Sequence, residues 1–139
     1  MNPQNHVVYT NRATAFKRHK ELNLMLEDAQ KAVDLDPAYF KSYLRLGEAE
    51  VELGKDQNCQ NCELIDKGIK HLQRALSLCW SMKSSDPKFP HKATFEKEIN
   101  KQILRARKIR WFKEQELEQI EKEVILHELR SLLRVDEIQ

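Results

Sequence analysis

Apolar and small residues along the first eighty positions recur at spacings of three and four, the period of amphipathic helices. The pattern also repeats on a longer scale. Tyr9, Arg12, Ala13 and Phe16 are followed 34 positions later by Tyr43, Leu46, Gly47 and Glu50. Each set opens on a tyrosine and has a small residue at its third place. A second apolar segment follows each set: Leu22 to Val33 after the first, Ile65 to Leu76 after the second. Ala13 and Gly47 allow close approach of the first helix of each pair, and Ala32 and Ala75 that of the second. Asp36-Pro37 separates the pairs, with Pro37 ending one helix and fitting the first turn of the next. The pattern predicts helices near 6–19, 22–36, 38–54 and 63–80. The two pairs are not of equal length. Ala13 to Ala32 is 19 residues and Gly47 to Ala75 is 28, so about nine residues are inserted in the second pair. The polar run Lys55 to Cys62 holds them, as a lengthened and mobile turn over Gln57 to Asn61, placing the insertion near 55–63.

From 81 to 92 the chain reads as a Ser- and Pro-rich linker. After Pro90 neither Gly nor Pro occurs. The remaining stretch, rich in Glu, Lys, Arg, Gln, Leu and Ile, predicts one long charged helix over 93–139, best defined at 94–134. Its apolar stripe runs Phe95, Ile99, Ile103, Ala106, then Leu117, Ile120, Val124, then Ile125, Leu129, Leu132. Two helical pairs are too small to cover all of it. The distal half therefore needs a partner helix, from a second copy or from a continuation of the chain.

Composition narrows the class. Three Gly and four Pro in 139 residues leave few turns, which disfavours sandwiches, barrels and glycine-dependent nucleotide folds. Charged residues make up 33% and apolar ones 40%, so a folded domain with a large solvated surface is expected. The net charge is +2, which by itself implies neither a nucleic-acid nor a membrane partner. No apolar run exceeds three residues, so nothing is expected to span a bilayer. The opening residues lack the basic and apolar regions of a signal peptide. Three cysteines without a secretory signal fit reduced thiols in the cytoplasm or nucleus.

The small residues, aromatics and Asp-Pro at these spacings resemble the tetratricopeptide (TPR) repeat. The first repeat runs from about His6 to Tyr39 and the second from about Phe40 to residue 80. Beyond this, Tyr9-Thr10-Asn11-Arg12-Ala13, Leu72-Gln73-Arg74-Ala75, the Arg110-Trp111 step and Leu129 through Leu133 resemble the CHIP-like family. These are TPR co-chaperones that are also U-box ubiquitin ligases. That resemblance implies an all-α fold: a TPR array leading into a helical-hairpin dimerisation region, and then a U-box. Measured against it, the chain starts at the second repeat and ends inside the hairpin, so the first repeat and the U-box lie outside this sequence. The implied function is an adaptor that binds the acidic C-terminal tails of heat-shock protein 70 and 90 chaperones and directs their clients to ubiquitination. The implied partners are those tails and a second copy through the long helix, with an E2 reached only through a U-box.

Candidate binding residues follow from spacing and from the resemblance. Lys41 and Arg45, four apart, share a helix face. Asn11, 34 residues before Arg45, takes the matching place on the preceding first helix. Cations and an amide converging in a groove suit a carboxylate-bearing peptide. In TPR co-chaperones these positions belong to a five-membered carboxylate clamp for a Glu-Glu-Val-Asp tail. The resemblance adds Phe95 and Glu98 at the start of the long helix, where the family closes one end of the peptide groove. Phe95 would pack on an apolar side chain of the peptide. Glu98, which stands where the family has Asp, would cap an amide or hydroxyl. The alternative is that Lys41 and Arg45 are solvated surface cations, Phe95 is core and Glu98 is a helix-start acid. The protein would then be a structural TPR and coiled-coil partner without chaperone or ligase activity.

Other constellations carry less. Cys59-Gln60-Asn61-Cys62 is a lone CxxC, with only Cys79 or His71 to complete a zinc site, and no cofactor or metal is expected. Lys97, Lys101, Arg105, Arg107, Lys108, Arg110 and Lys113 surround Trp111 and Phe112, but Glu114 to Glu128 is acidic. The run reads as a solvated face and not as a nucleic-acid site. No Ser/His/Asp or paired-carboxylate grouping suggests catalysis within the chain.

Overall fold

A computed structural model describes residues 5–56, 62–82 and 91–138, and every regular element among them is helical. The order is α1 (His6–Arg18), α2 (Leu22–Leu35), α3 (Phe40–Asp56), α4 (Glu63–Ser81) and α5 (Lys92–Ile138). The α1/α2 and α3/α4 pairs stack as two TPR-type hairpins, and α5 runs across the second and then away from it. The expectation of mobility at Gln57 to Asn61 falls outside the described residues, as do residues 83–90 of the linker expected over 81–92, while Ser81 closes α4 and Lys92 opens α5.

Local chemistry sets the helix ends. The Asn5 side chain accepts the Val7 N–H at 2.9 Å and caps α1. At its other end, Glu21 N–H reaches Phe16 C=O and Lys20 N–H reaches Lys17 C=O, a Schellman closure. The closure places Lys20 at φ 58°, the left-handed region usually given to glycine. Asp36 accepts the Ala38 N–H at 3.0 Å, and Tyr39 N–H returns to Asp36 C=O. That tight turn holds Pro37 outside both helices. It does not enter the first turn of α3, which begins only at Phe40. At the end of α4, Lys92 Nζ donates to Trp80 C=O at 3.3 Å and Met82 C=O at 2.5 Å. This ammonium satisfies terminal carbonyls and suits the negative end of the helix dipole. Lys92 is itself the first residue of α5, which so begins two residues before the predicted start.

Two apolar clusters make the core. Ala13, Met25, Ala29, Val33, Leu46 and Ala49 join α1, α2 and α3. Leu44, Ile65, Leu72, Leu76, Ile99 and Ile103 belong to the larger cluster that joins α3, α4 and α5. The small residues act as the pattern predicts, since Ala13, Ala32 and Ala75 are fully buried. Gly47 is matched by a glycine that the pattern does not single out, Gly68 on α4. A Cβ on Gly68 would lie 2.9 Å from Gly47 C=O, and one on Gly47 would lie 2.8 Å from Gly68 C=O. The two helices cross with their backbones in contact there.

The 47 residues of α5 span roughly 70 Å at 1.5 Å per residue. Ile99, Ile103 and Ala106 are buried, and ion pairs from Arg105 to Glu52 and from Arg110 to Asp66 fasten this part to α3 and α4. From Glu118 through Arg134 every described side chain is exposed, including Ile120, Val124, Leu129 and Leu132.

Candidate functional site

The first helices of the pairs, α1 and α3, and the start of α5 lie side by side and carry the five predicted residues. Thr10 and Ser42 share a buried hydrogen bond of 3.0 Å that fixes α1 against α3. One turn further along, Arg45 Nε donates to Thr14 Oγ1 at 3.0 Å. Thr14 is three residues from Asn11, so Arg45 reaches the face of α1 on which Asn11 stands exposed. On the other side, Phe95 packs edge-on against Phe40 at 5.4 Å between centroids. Lys41 Nζ lies over the Phe95 ring at 4.8 Å, a cation–π geometry. Glu98 is half-buried one turn along from Phe95. The structure brings Lys41 and Phe95 into contact and Arg45 onto the face of Asn11.

Electrostatically this face is not a bare cluster of cations. Arg45 Nη1 donates to Glu48 Oε2 at 3.0 Å, and Lys17 Nζ reaches the same carboxylate at 3.1 Å. The Glu48 side chain is only 5% exposed. Beyond Glu48 a cavity of about 530 Å³ opens, floored by Met25, Val51 and Leu72 and rimmed by Lys17, Lys20 and Arg105. Beside Arg45, burial pushes the Tyr39 phenol above its ordinary range, while the guanidinium opposes that shift. Glu48, Thr14 and Lys17 were not among the predicted residues. The Arg45–Glu48 spacing of three was available as a signal for an in-helix pair. The reach of Lys17 from α1 was not, because it depends on how the hairpins stack.

The cysteines are placed apart. Cys62 precedes α4 and Cys79 lies in its last turn, 17 residues on, which is roughly 25 Å along a helix. They cannot share one metal, and His71, nine residues from Cys62, is held by Glu50 at 2.5 Å. Cys59 lies outside the described residues. Burial raises the thiols of Cys62 and Cys79 above the ordinary value of 9.0, so both stay protonated and weakly nucleophilic near neutrality. Among the described residues no group of three or more His, Cys, Asp or Glu is arranged to hold a metal, and no helix is long and apolar enough to cross a membrane.

Several known proteins are similar to part of this chain. The small glutamine-rich tetratricopeptide repeat-containing protein 2 of Saccharomyces cerevisiae is 42% identical over 55 residues, 40% of this chain and 16% of that protein. The Hsp70-Hsp90 organizing protein of Triticum aestivum is 44% identical over 52 residues, 37% of this chain and 9% of that protein. Heat shock protein STI1 of Saccharomyces cerevisiae is 32% identical over 81 residues, 58% of this chain and 12% of that protein. The chain thus spans under a fifth of the length of each of these relatives. No family model matches it.

Proposed function

We propose that this chain is a TPR adaptor whose groove, lined by Asn11, Lys41, Arg45, Phe95 and Glu98, captures the acidic C-terminal tail of heat-shock protein 70 or 90 chaperones. One observation carries the reading: Lys41 and Arg45 share one face of α3, with the exposed amide of Asn11 on one side and the Phe95 ring on the other. Such a surface offers charge-assisted donors for carboxylates and an apolar shelf for the side chain between them. Relatives named for heat-shock proteins support the choice of tail. A clamp of this kind has five members, and three are present here, so binding by this chain alone is expected to be weak and steeply dependent on salt.

Titration of a peptide ending in Glu-Glu-Val-Asp, followed by fluorescence anisotropy, tests the reading. Losing one charge-assisted bond weakens binding by about 1.5–3 kcal/mol, or roughly ten- to a hundredfold. Lys41→Ala and Arg45→Ala should each have that effect. If the peptide binds and neither substitution weakens it, the groove is not the site and the two residues are surface cations. In the fuller form of the proposal, the chain supplies the chaperone-binding and assembly half of a CHIP-like ligase. The support for that form is the passage of the repeats into a long helix through Lys108 to Trp111. Ubiquitin transfer would then act by proximity and would need a U-box with its E2, which these 139 residues do not encode.

A further inference from the structure

On another flank of α3 lies a second concavity that the groove does not use. Leu46 and Glu50 follow Arg45 by one and five residues, roughly 100° and 140° round the helix. They form the floor of a cleft of about 370 Å³ between α2 and α4, walled by Leu26 and Leu64. That volume is at the lower end of ligand sites, roughly 300–1,000 Å³. Glu50 is 2% exposed. Its Oε1 accepts from His71 Nδ1 at 2.5 Å, and its Oε2 is buried without a hydrogen-bond partner among the described residues. A buried carboxylate oxygen left without a donor is unfavourable, so a donor that reached it from the cleft, past the side chains that cover it, would gain what the fold leaves unmade.

We propose that this cleft is a receptor site for the ammonium end of a lysine side chain presented by a partner polypeptide. The inner charge of the cleft is negative, while its own cations stand exposed at the rim. Lys31 Nζ lies over the Tyr9 ring at 5.8 Å, and Lys67 makes no ion pair among the described residues. Because His71 occupies Oε1, only one carboxylate oxygen remains. This suits a compact ammonium and leaves the forked, two-point geometry of a guanidinium unmatched. The four-carbon stem of lysine can lie along Leu26, Leu46 and Leu64 while its head meets Glu50. At the rim, Gln30 spends an amide N–H on Asp34 at 3.0 Å and keeps its carbonyl oxygen as an acceptor, and Glu27 adds a carboxylate. These can take the remaining ammonium protons.

The test is a titration of the whole isotope-labelled chain with Nα-acetyl-lysine methylamide, followed by amide and methyl NMR signals. Saturable shifts are expected at Leu26, Leu46 and Leu64. The Nε-acetylated probe, which has the same stem without the charge, should bind at least tenfold more weakly. The arginine analogue should also bind more weakly. Glu50→Gln, which keeps the size of the side chain, should reduce lysine binding at least tenfold. If that variant fails to fold, the charged and acetylated probes on the wild-type chain decide the matter alone. A Glu-Glu-Val-Asp peptide should leave these shifts unchanged, so the site stands or falls separately from the groove. The proposal is overturned by equal binding of the acetylated probe, by binding of the arginine analogue as tight as that of lysine, or by no saturable shift in the cleft.

Discussion

At the scale of single residues, Glu48 would govern how available the cations of the proposed groove are. Its nearly buried carboxylate holds Arg45 at 3.0 Å and Lys17 at 3.1 Å, so under the proposed function a peptide carboxylate would compete with an acid already in place. Glu48→Gln keeps the side-chain volume and removes that competitor. It is expected to tighten binding of the Glu-Glu-Val-Asp peptide by about three- to tenfold at low salt, with the gain fading as salt screens the freed charges. The gain should vanish in an Arg45→Ala, Glu48→Gln double variant, because neighbouring charges in one network couple. Anisotropy titrations of the four proteins complete the cycle. Gains that simply add would place Arg45 outside the peptide's reach. Sequence spacing was enough to put Lys41 and Arg45 on one face, since four residues nearly complete a helical turn. The Arg45–Glu48 spacing of three hinted at an in-helix pair, but nothing in the spacing could reveal the bond from Arg45 to Thr14 or the share that Lys17 takes of Glu48, because Thr14 and Lys17 come from α1. The pairing of Glu50 with His71, 21 residues apart, was hidden for the same reason.

At the scale of helices, the crossing of α3 on α4 is set by Gly47 and Gly68. A Cβ on Gly68 would stand 2.7 Å from Val51 Cγ2 and 2.9 Å from Gly47 C=O. The second neighbour is backbone and cannot swing aside. Gly68→Ala would gain up to about 1 kcal/mol of helix propensity. Overpacking typically costs about 1–3 kcal/mol, so a net loss of stability is expected. Urea unfolding should show a lower midpoint with an unchanged slope. A midpoint at or above that of the native chain would mean that the crossing tolerates a methyl group. Most of this architecture was legible beforehand. The 34-residue offset pairs Ala13 with Gly47, and both are buried. The stripe of Phe95, Ile99, Ile103 and Ala106 is the stripe that packs. Less was legible where an end depends on one side chain. Asp36 holds Pro37 in a turn, and the Lys92 ammonium closes α4 while its own residue opens α5. Gly68 was missed because a glycine inside a helical pattern does not announce what it faces.

For the molecule as a whole, the imbalance lies in α5. Its first two fifths are fixed to the repeats by burial and by the Arg105–Glu52 and Arg110–Asp66 pairs. Its distal part carries Ile120, Val124, Ile125, Leu126, Leu129, Leu132 and Leu133, each about half or more exposed. Leu117, Ile120 and Val124 follow one three-and-four spacing, and Ile125, Leu129 and Leu132 follow a second, shifted by one residue. The combined stripe is wider than a two-stranded seam and suits more than one neighbouring helix. Covering apolar surface is worth about 25 cal/mol per Å². Self-association through 115–134 is therefore the expected state at micromolar concentration. Sedimentation velocity should show a mass above that of one chain, falling on dilution. Ile125→Glu together with Leu129→Glu should shift it to the monomer. Because these side chains touch neither core cluster, the double variant should unfold near the same temperature as the native monomer, with its helical content kept. A native chain that sediments as a clean monomer with α5 intact would show that the stripe is tolerated in water, and the second-copy partner would have to be given up.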